Sequence, residues 1–324
     1  MRRNALALGV LIAIAVVVGQ ALLIPLFAAP AANLAPRDLP IAVAGPAQVA
    51  SELEAAHPGA FEVTTVADAA AADAAIKDRD VYGAILVTAA GPEVHVASAA
   101  SPTVAQLLTQ AAAGLGSNTP IRDVVPVDPD DPRGAGFAAG FLPMAITSLL
   151  AGILTYFFVS RRGARLATVV VFAALAGLAG AGVLVGWLGI LPGQYLAVAG
   201  VLALFALALS AAASGLAALV GRQGLALGVI VMFLVGNALS GIAAAPELLP
   251  QPWGEVGQWL PIGAGGTLLR SVAYFDGNGA GFAATVLSAY AIGGLLLILI
   301  GRSRLAGKTE DNSAEAAPEL VGAR

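Results

Sequence analysis

The sequence predicts an α-helical multi-span membrane protein. It has six transmembrane helices in a one-plus-five arrangement and a small extracytoplasmic α/β domain between the first and second spans. Three observations carry this. One apolar segment, Ala5–Phe27, stands alone at the N-terminus with about a hundred residues of soluble-looking sequence behind it. Five further apolar segments fill most of the remaining chain. Of 324 residues, 58% are hydrophobic and 11% charged, where a soluble domain carries about 25% charged residues. A hydrocarbon core about 30 Å thick takes roughly 20 apolar residues per helix, and all six segments meet that length. The organisation is then 1–29 for the first helix, 30–135 for the α/β domain, 136–301 for a five-helix domain with an outer re-entrant segment at 246–281, and 302–324 for a disordered cytoplasmic tail.

The first segment begins with Arg2 and Arg3 and ends at the small residues Ala28-Ala29-Pro30-Ala31, as a cleaved signal peptide would. A signal-peptide core is about 7–15 residues long. Ala5–Phe27 is longer, so it reads as a retained signal-anchor. Residues 30–36 read as a linker off the membrane.

The α/β domain follows from periodicity. Leu39–Ala44 and Val81–Val87 are short apolar runs that suit buried strands, and Phe61–Val66 alternates as a half-buried strand does. Glu93–Ala97 and Ile121–Val127 complete the strands, while Ala47–Ala56, Ala67–Lys77 and Thr103–Leu115 read as helices. The order β-α-β-α-β-β-α-β favours a mostly parallel sheet. Between Arg37 and Arg133 there are thirteen Asp and Glu against five Lys and Arg, densest at Asp128-Pro129-Asp130-Asp131. Such oxygens can hold calcium. The spacing lacks a regular calcium loop and Pro129 stiffens it, so a solvated acidic linker is the expectation. His57 and His95 have no paired carboxylate motif in sequence and read as surface residues.

The remaining spans are Phe137–Val159, Leu166–Trp187, Tyr195–Val220, Leu225–Ala245 and Phe282–Ile300, separated by Ser160–Arg165, Leu191–Gln194 and Gly221–Gly224. Arg2 and Arg3, then Arg161, Arg162 and Arg165, then Arg222, then Arg302, Arg304 and Lys308 fall on one side of a six-span chain. By the bias of Lys and Arg in short loops, that side is cytoplasmic, with both termini inside and the α/β domain outside.

Several classes of chemistry are excluded. There is no Cys, hence no disulfide, thiolate metal site or cysteine nucleophile. The sequence contains no G-x-S-x-G, H-E-x-x-H or G-x-x-x-x-G-K-[ST]. The expectation is a protein that is not an enzyme, with no cofactor, no metal and no ATPase of its own. No span contains Asp, Glu, Lys, Arg or His, which disfavours ion-coupled transport.

Polar groups in the spans are mild. Thr147, Ser148 and Thr155 lie in the second, with Pro143 near its outer end; Ser210 and Ser214, four apart, in the fourth; Asn237 and Ser240 in the fifth. They either bond helices together or line a substrate path. In the third span, Gly182 and Gly186, with Ala173, Gly177 and Ala181, let helix backbones approach closely. The outer segment holds Trp253, Trp259, Pro261, the run Gly263-Ala264-Gly265-Gly266, a short amphipathic helix at Thr267–Phe275 containing Arg270, and a turn at Asp276. Its Trp and Tyr residues suit the membrane interface. It reads as a re-entrant or interfacial piece, serving as an anchor or as a rim over an exit path.

The one-plus-five topology resembles that of type-2 ABC exporter permeases, most closely the phage-infection-protein (YhgE/Pip-like) branch. The run Asp78-Arg79-Asp80-Val81-Tyr82-Gly83-Ala84-Ile85-Leu86-Val87 is similar to a strand of that family's extramembrane domain. The run Trp259-Leu260-Pro261-Ile262-Gly263-Ala264, followed by Leu269–Phe275, resembles its last outer loop. The resemblance implies export of amphipathic, lipid-linked or drug molecules from a bacterial cytoplasmic membrane. It implies a homo- or heterodimer working with a separate ATP-binding-cassette ATPase, and no nucleic-acid partner. Arg161, Arg162 and Arg165 are the candidate contact with that ATPase. The alternative is a membrane-anchored envelope protein whose outer domain is a binding or scaffolding module.

Overall fold

The computed structural model describes residues 2–115 and 118–301. The tail at 302–324, with the basic residues Arg302, Arg304 and Lys308, lies outside the described residues. Six helices among those described are long and apolar enough to cross a membrane.

The first helix, α1 (Arg2–Ala32), runs past Phe27 and through Pro25 and Pro30. It takes up the first residues expected to be linker, and Asn33 closes it with its side-chain amide on the Ala29 carbonyl at 2.8 Å. The α/β domain then follows: β1 (Leu39–Ala44), α2 (Ala47–Ala56), β2 (Phe61–Val66), α3 (Ala69–Lys77), β3 (Gly83–Thr88), β4 (Gly91–Val96), α4 (Pro102–Leu115) and β5 (Ile121–Asp123). Strand order in the sheet is β2-β1-β3-β4-β5. β1 pairs in parallel with both β2 and β3, and β4 with β5, while the β3–β4 hairpin is antiparallel. The mostly parallel sheet expected from the element order is present. β5 is shorter than expected, yet the chain beyond it still bonds to the domain, with Val124 N–H on the Val96 carbonyl at 2.8 Å.

The bundle comprises α5 (Ala135–Phe158), α6 (Arg162–Ala181), α7 (Tyr195–Val220), α8 (Arg222–Val229), α9 (Gly236–Leu239) and α12 (Gly281–Ile300). α6 continues as a π-turn over Gly182–Trp187, and a second π-turn, Ile230–Val235, joins α8 to α9 as one span. α7 is the central post, its Leu, Ala and Ser residues buried against α5, α6 and α12. Close approach in the third span is made at Gly177, where any Cβ would run into the Ala199 carbonyl. Gly182 and Gly186 have no such contact, so that part of the small-residue pattern does not serve packing here. Phe137, Phe141 and Phe205 stack edge to tilt with centroids 5.5 and 5.2 Å apart, filling the domain-side end of this core.

The fifth span ends at Leu239 rather than Ala245. Ser240 bonds back to the Asn237 carbonyl, and Gly241 adopts φ +63, a left-handed turn that L side chains resist. The chain then enters a cap: a 3₁₀ turn at Pro246–Leu248, α10 (Trp253–Gln258) and α11 (Pro261–Tyr274). α11 corrects the expected short helix at Thr267–Phe275. It starts at Pro261, which sits in its first turn where no N–H is needed, and absorbs the Gly-rich run. Glycine is a poor helix former, but Gly263 packs on the Gly257 carbonyl and Gly265 on the Phe205 ring. Tertiary contact thus overrides propensity.

Candidate functional site

The α/β domain has two hydrophobic layers, one on each face of the sheet, and residues of the cap complete both. Ala244, Ala245 and Leu248 join Leu39, Ile41, Val94, Val104 and Leu108 in one. Phe275, just beyond α11, joins Ala42, Ala72, Ile76 and Leu86 in the other. The domain is therefore clasped by the chain on either side of α10 and α11, rather than tethered by its linkers alone.

Polar contacts fix the register of that clasp. Ala35 N–H bonds the Leu248 carbonyl and Arg37 N–H the Glu247 carbonyl, both at 3.0 Å, while Arg37 Nη1 reaches the Leu248 carbonyl at 2.8 Å. Arg79 follows the last turn of α3 with φ +64. A non-glycine residue in that region costs about 1–2 kcal/mol. The conformation sends its guanidinium down to α11, where Nη1 donates to the Thr267 carbonyl at 3.1 Å and to Ser271 Oγ. Asn278, in the turn before α12, donates from Nδ2 to the Lys77 carbonyl and to Asp78 Oδ1 at 3.2 and 3.0 Å.

Between domain and cap lies a chamber of about 600 Å³. Arg79, Tyr82 and Arg270 line it together with Glu247 and Thr267, and Trp259 and Phe282 form an aromatic wall with centroids 4.8 Å apart. Tyr82 donates to Glu247 Oε2 at 2.8 Å; burial first, and that carboxylate second, push the phenol well above its usual range, so it remains a donor. Arg270 is 8% exposed. It stacks over the Phe137 ring at 4.5 Å and gives Nη2 to the Ile242 carbonyl at 3.1 Å. Burial, and then the nearby Arg79 guanidinium, lower its pKa to about 10. Burial lowers that of Arg79 as well. A second, apolar groove of about 600 Å³ runs between α5, the end of α6 and α7.

The structure gathers only some of the sequence-predicted residues. Trp259 and Arg270 line the chamber. Pro261, Gly263 and Gly265 shape α11 beside it, while Trp253 and Asp276 are exposed outside it. Ser240 joins the fifth span to the cap: its carbonyl accepts from Gln258 Nε2 at 2.9 Å, and Gln258 Oε1 accepts from Thr267 at 2.7 Å. Thr147 and Ser148 line the apolar groove, with hydroxyls bonded to the carbonyls of Pro143 and Met144 at 2.9 and 2.7 Å. Ser210 bonds back to Ala206 at 2.7 Å, and Ser214 is buried with no partner among the described residues. Neither serine lines the chamber or the groove, and Asn237 lines neither. These hydroxyls do not form one path.

Two expectations are corrected. Of the three arginines offered as a partner contact, Arg161 and Arg162 are exposed but Arg165 is fully buried. Its Nε donates to the Val159 carbonyl at 2.6 Å and its Nη2 to the Tyr156 carbonyl at 3.3 Å. It caps the end of α5, whose last carbonyls have no helical partner. His95 is not a surface residue. It is 1% exposed and lies between Asp73 Oδ1 at 2.6 Å and Glu93 Oε1 at 3.0 Å, with Arg122 on the other oxygen of Asp73 at 3.3 Å. The strand alternation of Glu93 and His95 was visible, but Asp73 comes from α3. In the acidic linker, Asp131 Oδ2 accepts from Phe137 N–H and Asp128 Oδ1 from Asp130 N–H, both at 3.0 Å. Those carboxylates order the entry to α5.

Sequence reasoning missed Arg79, Tyr82, Glu247, Gln258 and Ser271 as site residues. Arg79 and Ser271 are 192 positions apart, and no local pattern joins them. The one available signal was Arg79 standing between Asp78 and Asp80 at the exit of a helix. No family model, curated protein or solved structure matches the chain.

Proposed function

We propose that this chain is the permease-like subunit of an ABC-type exporter that moves amphipathic, lipid-like or drug molecules outward with a separate ATPase. In this reading it works as a dimer in a bacterial cytoplasmic membrane, with the α/β domain outside. The chamber carries the proposal. It joins charged groups, Arg79, Arg270 and Glu247, to an aromatic wall at the first turn of α12, and so suits a molecule with a polar head and an apolar body. The basic residues Arg161, Arg162 and Arg222 at the opposite end of the bundle support the orientation. None of the six long apolar helices carries Asp, Glu, Lys, Arg or His in its middle, so a gradient-driven cycle lacks a carrier and the energy falls to a partner.

One observation favours a second reading, a non-transporting envelope protein whose α/β domain binds or scaffolds. The loop between α5 and α6 is only Val159–Arg161, and Arg165 is turned inward. Purification of the whole chain from its own membranes in mild detergent separates the two. The exporter reading expects an ATP-binding-cassette ATPase to co-purify, and to be lost when Arg161 and Arg162 are both changed to Ala. Absence of any ATPase, even after cross-linking in intact membranes, overturns it.

A further inference from the structure

Arg79 and Arg270 face one chamber, and neither forms an ion pair within 4.0 Å among the described residues. Among the described residues, ion pairs within 4.0 Å are confined to His95, Asp73, Glu93 and Arg122. Arg270 uses one of its five N–H groups on a protein acceptor, the Ile242 carbonyl, and its guanidinium opens on the chamber. Arg79 uses Nη1 alone. Each is lowered by burial, and Arg270 further by Arg79. Two half- to fully desolvated cations that repel each other are costly unless something compensates them. Glu247, whose Oε2 accepts from Tyr82, offsets part of that cost at Arg79 through its charge, which leaves one inner carboxylate against two guanidinium groups. The other carboxylates of the lining, Asp38, Glu62, Asp80 and Glu255, are exposed at its rim.

We propose that the chamber binds a phosphate group carried by an amphiphile, with Arg79 and Arg270 gripping the phosphate and the acidic rim receiving a cationic substituent of the same headgroup. Guanidinium forks match phosphate oxygens in pairs, while Tyr82, its hydroxyl proton committed to Glu247, holds that carboxylate in place beside them. The solvated rim repels a bare anion and attracts an ammonium, so the two layers together select a zwitterionic head over free phosphate. Trp259 and Phe282 stand where the apolar part would leave toward α12. This names the substrate class of the exporter reading, and rests on that reading for the direction of movement, though not for binding.

The test uses the full chain in an uncharged detergent and three probes: short-chain phosphatidylethanolamine, short-chain phosphatidylglycerol and inorganic phosphate, with binding read by native mass spectrometry. Saturable binding of the ethanolamine probe is expected, at least tenfold tighter than inorganic phosphate and tighter than the glycerol probe. Arg79→Gln and Arg270→Gln are each expected to weaken it about tenfold or more, while Arg122→Gln, on the far side of the α/β domain, leaves it unchanged. Should either Gln variant fail to fold, phenylglyoxal modification of the wild-type chain serves instead, because bound probe is expected to protect Arg79 and not the exposed Arg122. Equal binding of inorganic phosphate overturns the amphiphile. Binding unchanged by the Gln variants, or no protection of Arg79, overturns the site. An ATPase that co-purifies while no probe binds refutes the chamber and leaves the exporter; a probe that binds with no ATPase does the reverse.

Discussion

Arg79, at the exit of α3, donates a hydrogen bond to the hydroxyl of Ser271 on α11. The pair spans the boundary between the α/β domain and the helical bundle. It lies beside the two apolar clasps, so the domain and the cap behave as one folded unit rather than as a bead on two linkers.

Arg79→Ala removes a bond from a charged donor to Ser271 and another to the Thr267 carbonyl. Hydrogen bonds to charged groups contribute about 1.5–3 kcal/mol, so a loss of about 2–3 kcal/mol is expected. Thermal unfolding of the detergent-solubilised chain measures it. Arg79→Gly is expected to lose about 1 kcal/mol less, because glycine accepts φ +64 without strain.

Arg165→Ala leaves the Val159 and Tyr156 carbonyls without their donor in a buried place. A buried carbonyl left without its donor costs about 1–3 kcal/mol. Arg161→Ala and Arg162→Ala, at exposed positions, are expected to leave thermal stability within about 0.5 kcal/mol. The three arginines look alike in sequence; a graded effect on all three contradicts the cap.

Gly263→Ala drives a methyl group into the Gly257 carbonyl. Overpacking of this kind costs about 1–3 kcal/mol, and the melting temperature is expected to fall accordingly. Gly9→Ala and Gly19→Ala in α1 meet nothing within 4 Å, and serve as neutral controls on the same melting curve.

Ser214→Ala is expected to be neutral or stabilising. A buried hydroxyl without a partner carries a penalty of about 1–3 kcal/mol, and alanine removes it. Ser210→Ala is expected to be close to neutral, because its hydroxyl only bonds back to its own helix. A large loss of stability from Ser214→Ala contradicts the placement of that side chain.

Apolar length and alternation made the six long helices and the α/β element order legible, because both depend on local periodicity. α7 keeps its expected bounds, Tyr195–Val220, since Gly221 and the Pro192-Gly193 turn flank it. The start of α11 was not legible: Gly263, Gly265 and Gly266 argue locally against a helix, and only the Phe205 ring and the Gly257 backbone reverse that. Arg165 and His95 were misplaced for a related reason. A charge in a basic loop reads as solvated until the carbonyls that bury it are known, and Asp73 meets His95 only through the packing of α3 on the sheet. The chamber was least legible, since it joins Arg79 and Tyr82 to Glu247 and Arg270 across most of the chain. Only Trp259 and Arg270 stood out beforehand.

The most direct test of the single folded unit is a cysteine pair at Arg79 and Gly279. The chain has no Cys of its own. A Cβ at Gly279 would lie 3.3 Å from that of Arg79, close to the roughly 3.5–4.5 Å of a disulfide. After mild oxidation in membranes, both thiols of Arg79→Cys/Gly279→Cys are expected to resist a maleimide-linked polymer until reduced, while those of Arg79→Cys/Gly114→Cys, the second at an exposed position of α4 with nothing within 4 Å, react freely. A doubly reactive Arg79→Cys/Gly279→Cys chain would mean that the α/β domain does not sit on the cap.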